Sequence, residues 1–313
     1  MIRNSMYSRT LHSTVLAVTF LVAAATSALA DFSRGGGFNS AGYGARAWGM
    51  GGAAIATASD EGAVYWNPAL LSIVGENRVG FTYTDLIAGV AASRSHVAAT
   101  FALRKGPEDE PGLKFAYHTV GIMFSNLSLD LTGGANYNEN TLSLAYALAP
   151  QYFISIGATF NFLLSSSDVE GFGSNGTSFD LGVRLRLARR TSVALVARNV
   201  LSQIDFEDSA SLTLPRAYTL GVAYRLWIFT GEADAEASNG GLSRYALGAE
   251  ARLWQNNIAL RTGVQVKSAG VSRMIQYYGF GVRAGLISLD YNAEFDAAEA
   301  FGNIQRISMA FIF

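Results

Sequence analysis

The chain offers little for catalysis: three histidines, no cysteine, and charged residues at only 15% of 313 positions. His12 lies in a leader-like N-terminus, which leaves His96 and His118. A histidine-based hydrolase needs a nucleophile and an orienting group on one imidazole. Ser95 adjoins His96, but neighbours along a strand point to opposite faces. His118 follows Tyr117 and has no second histidine at a metal-binding spacing, so it suits a strand end. Glu108-Asp109-Glu110 lacks the spacing of a calcium loop and reads as a solvated turn. Gly279-Phe280-Gly281 lacks the rest of a dinucleotide fingerprint. The absence of cysteine removes disulfide scaffolds, thiolate zinc sites and cysteine nucleophiles together. No enzymatic activity, cofactor or metal is expected. A net charge of −1 gives no electrostatic case for nucleic acid.

The remaining charges follow a pattern. Arg184, Arg186, Arg225, Glu250, Arg252, Arg261, Lys267, Arg283, Asp290 and Glu294 alternate with apolar residues. In one segment Phe179, Leu181, Val183, Leu185 and Leu187 interleave with Ser178, Asp180, Gly182, Arg184 and Arg186. A strand directs alternate side chains to opposite faces, so such a segment has one oily and one wet face. The pattern recurs at 141–148, 154–162, 218–226, 258–267 and 287–295. Runs of about ten residues match a tilted strand crossing a bilayer and exceed the ordinary globular strand. Pro68, Pro107, Pro111, Pro150 and Pro215 fall outside or at the edge of these runs, as a hydrogen-bonded ladder requires. A soluble β-sandwich also alternates, with shorter strands and a more charged outer face. Charges on the wet face either pair across strands and hold interior material or line a conduit.

Short connections at 149–152, 188–191, around Trp227, at 254–256 and at Gly285 alternate with longer polar loops at 165–176, 201–216, 235–241, 268–273 and 297–303. That alternation is the signature of an outer-membrane barrel. Eleven strands between Asn140 and Phe313 join three upstream, at 78–86, 94–103 and 113–124, with 127–131 as an extension of the third. The expected fold is all-β, a 14-stranded antiparallel transmembrane β-barrel with both ends on one side. Tyr83, Tyr117, Tyr146, Tyr152, Tyr218, Trp227, Tyr245, Trp254 and Tyr291 lie mostly near strand ends, where amphipathic rings sit at headgroup level.

The ends of the chain agree. Arg3 and Arg9 precede an apolar stretch from Val15 to Ala25, and Ala28-Leu29-Ala30 supplies a cleavage site before Asp31; these are the parts of a secretory signal. No later apolar run approaches the roughly 20 residues of a spanning helix. Phe313 is preceded by Phe311, Met309 and Ile307 at spacing two. A terminal aromatic of this kind resembles the signal read by the barrel assembly machinery, which makes that machinery an expected partner beside outer-membrane lipid.

The stretch 31–75 breaks the alternation. It contains Gly35-Gly36-Gly37, then Gly44-Ala45-Arg46-Ala47-Trp48-Gly49-Met50-Gly51-Gly52-Ala53, then Asp60-Glu61 and Tyr65-Trp66-Asn67-Pro68-Ala69. Ser59 or Asp60 is suited to cap a short helix running to about Tyr65, which Pro68 then breaks. Irregular backbone needs hydrogen-bond partners, and a barrel interior supplies them. A loose terminal tail would expose Trp48, Met50, Tyr65 and Trp66, which argues against one. The limits are therefore a signal peptide over 1–30, a plug over 31–77 and a barrel over 78–313.

The pieces Gly44–Ala47, Met50–Ala53, Asp60-Glu61 and Tyr65–Ala69 resemble the N-terminal signature of the PorV/PorQ group, within the larger FadL-like superfamily of outer-membrane proteins. Leu214-Pro215-Arg216 before a strand is similar as well. The resemblance implies a fourteen-stranded barrel with an inward-folded plug, in the outer membrane of a Gram-negative-type bacterium. FadL-type members pass long-chain fatty acids or other hydrophobic compounds, whereas PorV-type members bind secreted proteins for type IX secretion. The outer loops are shorter here than those that build the FadL external groove. The leading expectation is passage of a hydrophobic ligand gated around Trp66, Asn67 and Pro68, with Arg46, Met50 and Tyr65 as further plug candidates. The alternative is a secreted-protein partner and no small-molecule transport.

Overall fold

The computed structural model describes residues 42–86, 92–105, 116–130, 136–168, 173–206, 209–238, 241–267, 273–296 and 304–313. The expected signal peptide over 1–30, the glycines at 35–37 and the acidic run at 108–110 lie outside the described residues. In the first half of the chain run β1 (Arg78–Asp85), β2 (Ala92–Lys105), β3 (Ala116–Asp130), β4 (Asn136–Gln151), β5 (Ile154–Ser167), β6 (Ser174–Ala188) and β7 (Thr191–Phe206). After a short β8 (Ser209–Leu212) come β9 (Ala217–Leu226), β10 (Phe229–Ser238), β11 (Gly241–Leu253), β12 (Ile258–Lys267), β13 (Arg273–Ala284), β14 (Ile287–Asp296) and β15 (Ile304–Ile312). All except β8 pair antiparallel into a closed ring of 14 strands, sealed where β1 meets β15, Arg78 opposite Ile312. The fold is the 14-stranded antiparallel barrel that the alternation predicts.

The ring is apolar outside and polar inside. Phe81, Val97, Ile122, Leu144, Leu181, Leu260 and Phe311 are exposed, while Thr82, His96, Thr119, Ser143, Thr159, Gln265 and Asn292 are buried. β1 alternates buried and exposed residues without exception. A register slip of one residue would exchange the faces of a strand. So large an exposed apolar surface is incompatible with water and matches the lipid-facing band of a transmembrane barrel.

At one end the strands join through tight turns that are stitched together. The backbone N–H of Arg186 donates to Phe153 O, Arg225 to Arg190 O, Arg252 to Ile228 O, Arg283 to Asn257 O and Ile312 to Leu286 O. Phe313 closes the series by donating to Asn77 O at 3.0 Å. Both barrel termini thus sit at this turn end. Trp227 and Trp254 occupy turn tips with positive φ (53° and 51°) and are 83% and 79% exposed. A bulky residue in that region of backbone space is uncommon. A ring placed at headgroup level is a physical reason to keep it there.

Several elements run further than the apolar pattern indicates. The expected loop at 201–216 is partly strand, because β7 continues to Phe206 and carries β8 on its edge. The expected loop at 235–241 is strand as far as Ser238, which pairs with Ala217. Ladder hydrogen bonds need a neighbouring strand and no apolar alternation, so strands persist where the outer face turns polar. The expected extension from Leu127 is β3 itself as far as Asp130, with Leu127 opposite Glu139.

Candidate functional site

The segment from Gly42 to Val74 lies within the ring of strands as short helical pieces: α1 (Ala45–Gly49), α2 (Ala63–Trp66), a 3-10 turn (Pro68–Leu70) and α3 (Leu71–Val74). Gly75 ends α3 in the left-handed conformation (φ 63°), which glycine adopts without a steric penalty. The proposed helix cap is displaced. Asp60 Oδ1 accepts from Gly62 N at 3.0 Å, and α2 starts after Gly62 with no side-chain cap. Closing that turn satisfies Asp60 locally, and the first N–H groups of α2 donate to the backbone carbonyls of Asp60, Glu61 and Gly62.

Asn67 organises the segment. Its Nδ2 donates to Ile55 O at 2.8 Å and its Oδ1 accepts from Ala69 N at 3.0 Å, so one amide ties two stretches together and caps the 3-10 turn. Pro68 occupies the first position of that turn, where its missing N–H costs nothing. Trp66 is buried and donates from Nε1 to Tyr43 O at 2.7 Å. Its ring meets Trp48 and Tyr65 edge-on at 5.7 and 5.2 Å, and Trp48 stacks on Tyr277 of β13. Tyr65 is half-buried beneath Arg198, whose guanidinium lies 4.3 Å from the ring centre and donates to Tyr65 O and Trp66 O. Tyr65, Trp66, Asn67 and Pro68 therefore form one cluster. Arg46 and Met50 stand apart from it, facing β11 and β12.

The wall is cut to this segment by glycine. A Cβ on Gly182 would overlap the Asn67 side chain, one on Gly157 would overlap Pro68, and one on Gly263 would overlap the Met50–Gly51 peptide. Gly248 and Gly263 face each other across β11 and β12 beneath Met50. On the outer surface over the same strands lies a shallow depression of about 720 Å³ floored by Gly231, Ala233, Ala249 and Thr262. The wall is thin at that point, and the ladder between β11 and β12 is unbroken.

Three polar arrangements fix the segment. Glu250, almost fully buried, receives Arg46 Nε at 3.2 Å, Arg252 Nε at 2.8 Å and Arg261 Nε at 2.7 Å. Arg261 also reaches Asp290 at 2.6 Å, and Arg46 lies 3.8 Å from Asp60. Three cations are thus balanced by three carboxylates in the low-dielectric interior. The second arrangement is a row of carboxylates on β10, two residues apart. Asp234 accepts from Ala54 N at 3.0 Å, and Glu232 accepts from Ala56 N at 2.6 Å and from the Thr57 hydroxyl. Glu236 holds Arg244 at 3.1 Å, and Arg244 donates to Gly52 O. A third link runs from Tyr43, which donates to Glu61 at 3.1 Å, to Arg78 on the same carboxylate at 2.9 Å. Burial, with the Glu61 and Asp60 charges adding, pushes the Tyr43 hydroxyl well above its ordinary range and keeps it a donor.

Glu250, Arg252, Arg261 and Asp290 stand on the wet face where the alternation places them. The carboxylate row of β10 is not among the wet-face charges read from the sequence. Its signal is present as Glu232, Asp234 and Glu236 at spacing two, but alanine and glycine fill the intervening positions, so no oily face marks the strand. His96 faces the interior, with Tyr43 edge-on at 5.5 Å. His118 lies near the turn end of β3, its Nδ1 2.6 Å from the Tyr146 hydroxyl.

A closed fourteen-stranded ring with a lipid-compatible wall and an aromatic, hydrogen-bonded segment filling its interior defines a plugged barrel fold. No family model and no curated protein matches the sequence. Solved structures match in fold. The CymD monoaromatic hydrocarbon channel superposes with a TM-score of 0.64 at 14% identity, over 88% of this chain and 99% of that chain. A Pseudomonas aeruginosa FadL homologue gives 0.60 at 11% identity, over 85% and 97%. The P. putida toluene transporter TodX gives 0.60 at 11% identity, over 87% and 99%. The chain thus shares the barrel architecture of these solved structures.

Proposed function

We propose that the chain is a bacterial outer-membrane channel for hydrophobic small molecules, with the 42–77 segment as its plug. The observation that carries this reading is the content of the barrel interior. A channel for polar solutes keeps a water-filled polar lumen. Here Tyr43, Trp48, Trp66, Leu70, Leu71, Met123 and Tyr277 form an apolar core at the centre of the ring. An apolar molecule that displaces part of this packing exchanges one set of dispersion contacts for another, whereas a hydrated solute would be stripped of water. The relatives in fold that are described as a hydrocarbon channel and a toluene transporter support the same class of cargo.

Passage requires the plug to yield, and its attachment suits that. The contacts of Asp234 and Glu232 with 54–57 and of Arg198 with Tyr65 and Trp66 are hydrogen bonds, made and broken without covalent change. Trp66, Asn67 and Pro68 form the hinge-like cluster at which movement would open the interior, and Arg46 anchors the opposite side through Glu250. Met50, pressed on the glycine pair of the wall, and Tyr65, under Arg198, complete the candidate set. The secreted-protein alternative, drawn from the Gly44–Ala53 resemblance, gains nothing from these relatives in fold.

The test is uptake by intact cells lacking the gene, with and without the chain restored. Labelled toluene and labelled laurate are expected to enter several-fold faster in the restored cells, with glucose entry unchanged. Equal rates for both apolar probes would overturn the reading.

A further inference from the structure

The turn end of the barrel carries charges and rings that the interior does not use. Arg186 N donates to Phe153 O, Arg225 N to Arg190 O and Arg252 N to Ile228 O, so the turns after β4, β6, β9 and β11 stand side by side. Arg189 and Arg190 at the tip of the second turn are exposed, as is Arg225 at the end of β9. Arg186 is half-buried, its guanidinium 5.9 Å from the centre of the Tyr152 ring. Elsewhere the arginines have carboxylates: Glu250 takes Arg46, Arg252 and Arg261, and Glu76 lies 3.6 Å from Arg283. Arg189, Arg190 and Arg225 form no ion pair among the described residues. Beside them Trp227 and Trp254 project from the next two tips. Trp254, Gln255 and Asn256 hold positive φ in succession, at 51°, 57° and 70°, a conformation that L-residues enter against steric repulsion.

An exposed arginine in water needs no partner, but these stand at the rim of the lipid-facing band. Tyr152, Phe153, Ile228 and Phe229 flank them, all exposed. Amphipathic rings settle at the headgroup level of a bilayer, which sets the neighbouring guanidinium groups at the depth of the phosphates. A guanidinium takes a phosphate through two parallel charge-assisted hydrogen bonds, and cations clustered at a membrane surface attract anionic lipid. A zwitterionic headgroup brings an ammonium group with its phosphate, so charge complementarity selects a head with net negative charge. The strained tryptophan tips favour lipid over an acidic soluble partner, because the bilayer itself receives a ring held at headgroup depth.

We propose that the turns after β4, β6, β9 and β11 form a docking surface for anionic glycerophospholipid in the leaflet at the turn end. Arg189, Arg190 and Arg225 take the phosphates, and Trp227 and Trp254 lie at the level of the glycerol. This rests on the outer-membrane reading and is independent of the cargo. The bound lipid stays in the membrane around the barrel and fixes the depth of this sector in the bilayer.

Tryptophan quenching by brominated lipid tests it at the surface itself. The chain has four tryptophans, and Trp48 and Trp66 are buried inside the ring, so lipid reaches Trp227 and Trp254. The full-length protein is reconstituted in phosphatidylcholine vesicles, with brominated phosphatidylglycerol or brominated phosphatidylcholine as the quencher. The expected result is an association about three-fold or more in favour of phosphatidylglycerol, lost in high salt as screening requires. In the Arg189→Gln/Arg190→Gln variant the preference disappears while quenching by brominated phosphatidylcholine is retained. The comparison in the unaltered protein needs no variant to fold. Equal association of the two lipids overturns the proposal, as does a preference that survives in the variant. Loss of the preference on adding soluble glycerophosphoglycerol overturns it in favour of a free-phosphate site. Displacement of the lipid by polyglutamate at equal ionic strength overturns it in favour of an acidic protein partner. Failure to enter vesicles of either lipid counts against the membrane reading itself, and the surface falls with it.

Discussion

At the scale of single residues, the interior is governed by desolvated charge, and Glu250 is its most heavily used member. Its carboxylate is almost fully buried and meets three guanidinium groups. Glu250→Gln keeps the shape but leaves Arg46, Arg252 and Arg261 undercompensated. Breaking a buried pair from one side costs about 3–5 kcal/mol, so urea unfolding in detergent should show a loss of that order. An unchanged midpoint would mean that water reaches the cluster. Glu250, Arg252 and Arg261 are visible in the sequence as wet-face positions, but their mutual pairing is not. Which of several interior charges meet depends on strand neighbours and register, and alternation fixes only the face. The same holds for Arg46, a plug candidate by motif alone, whose partners on β11 and within the 54–60 stretch come from the three-dimensional path of the chain.

At the scale of elements, one strand does for the plug what a neighbouring strand would do for a ladder. β10 presents Glu232 and Asp234 to the N–H groups of Ala54, Ile55 and Ala56, groups that would otherwise lie buried without partners. In the Glu232→Gln/Asp234→Asn variant those amides keep weaker, neutral acceptors, and charge-assisted bonds are roughly twice as strong as neutral ones. Amide hydrogen exchange at 54–57 is expected to accelerate at least ten-fold, with the strands themselves unaffected. Unchanged protection there would show that the glycine-lined wall alone holds the turn. The strand count was legible because a bilayer imposes a two-residue period over a fixed length. The plug was legible only as an interruption of that period, and its helical pieces were not, since four- or five-residue helices have no room for an amphipathic repeat. The strand portions at 201–206 and 235–238 were missed for the complementary reason, as hydrogen-bond pairing continues where no oily face is required.

At the scale of the whole molecule, the central claim is that the inner segment is a movable plug for hydrophobic cargo. The contact between Ile55 and Gly221 allows it to be locked. An ideal Cβ on Gly221 would lie 2.5 Å from Ile55 Cγ1, which places the two Cβ atoms at most about 4 Å apart, within disulfide range. The chain has no cysteine of its own, so an engineered pair forms without competitors. The decisive measurement is laurate uptake by cells carrying the Ile55→Cys/Gly221→Cys variant, before and after reduction, with each single variant as a control. Uptake at the background rate when oxidised, recovering on reduction, is the predicted result. Undiminished uptake through a fully cross-linked barrel would contradict the account.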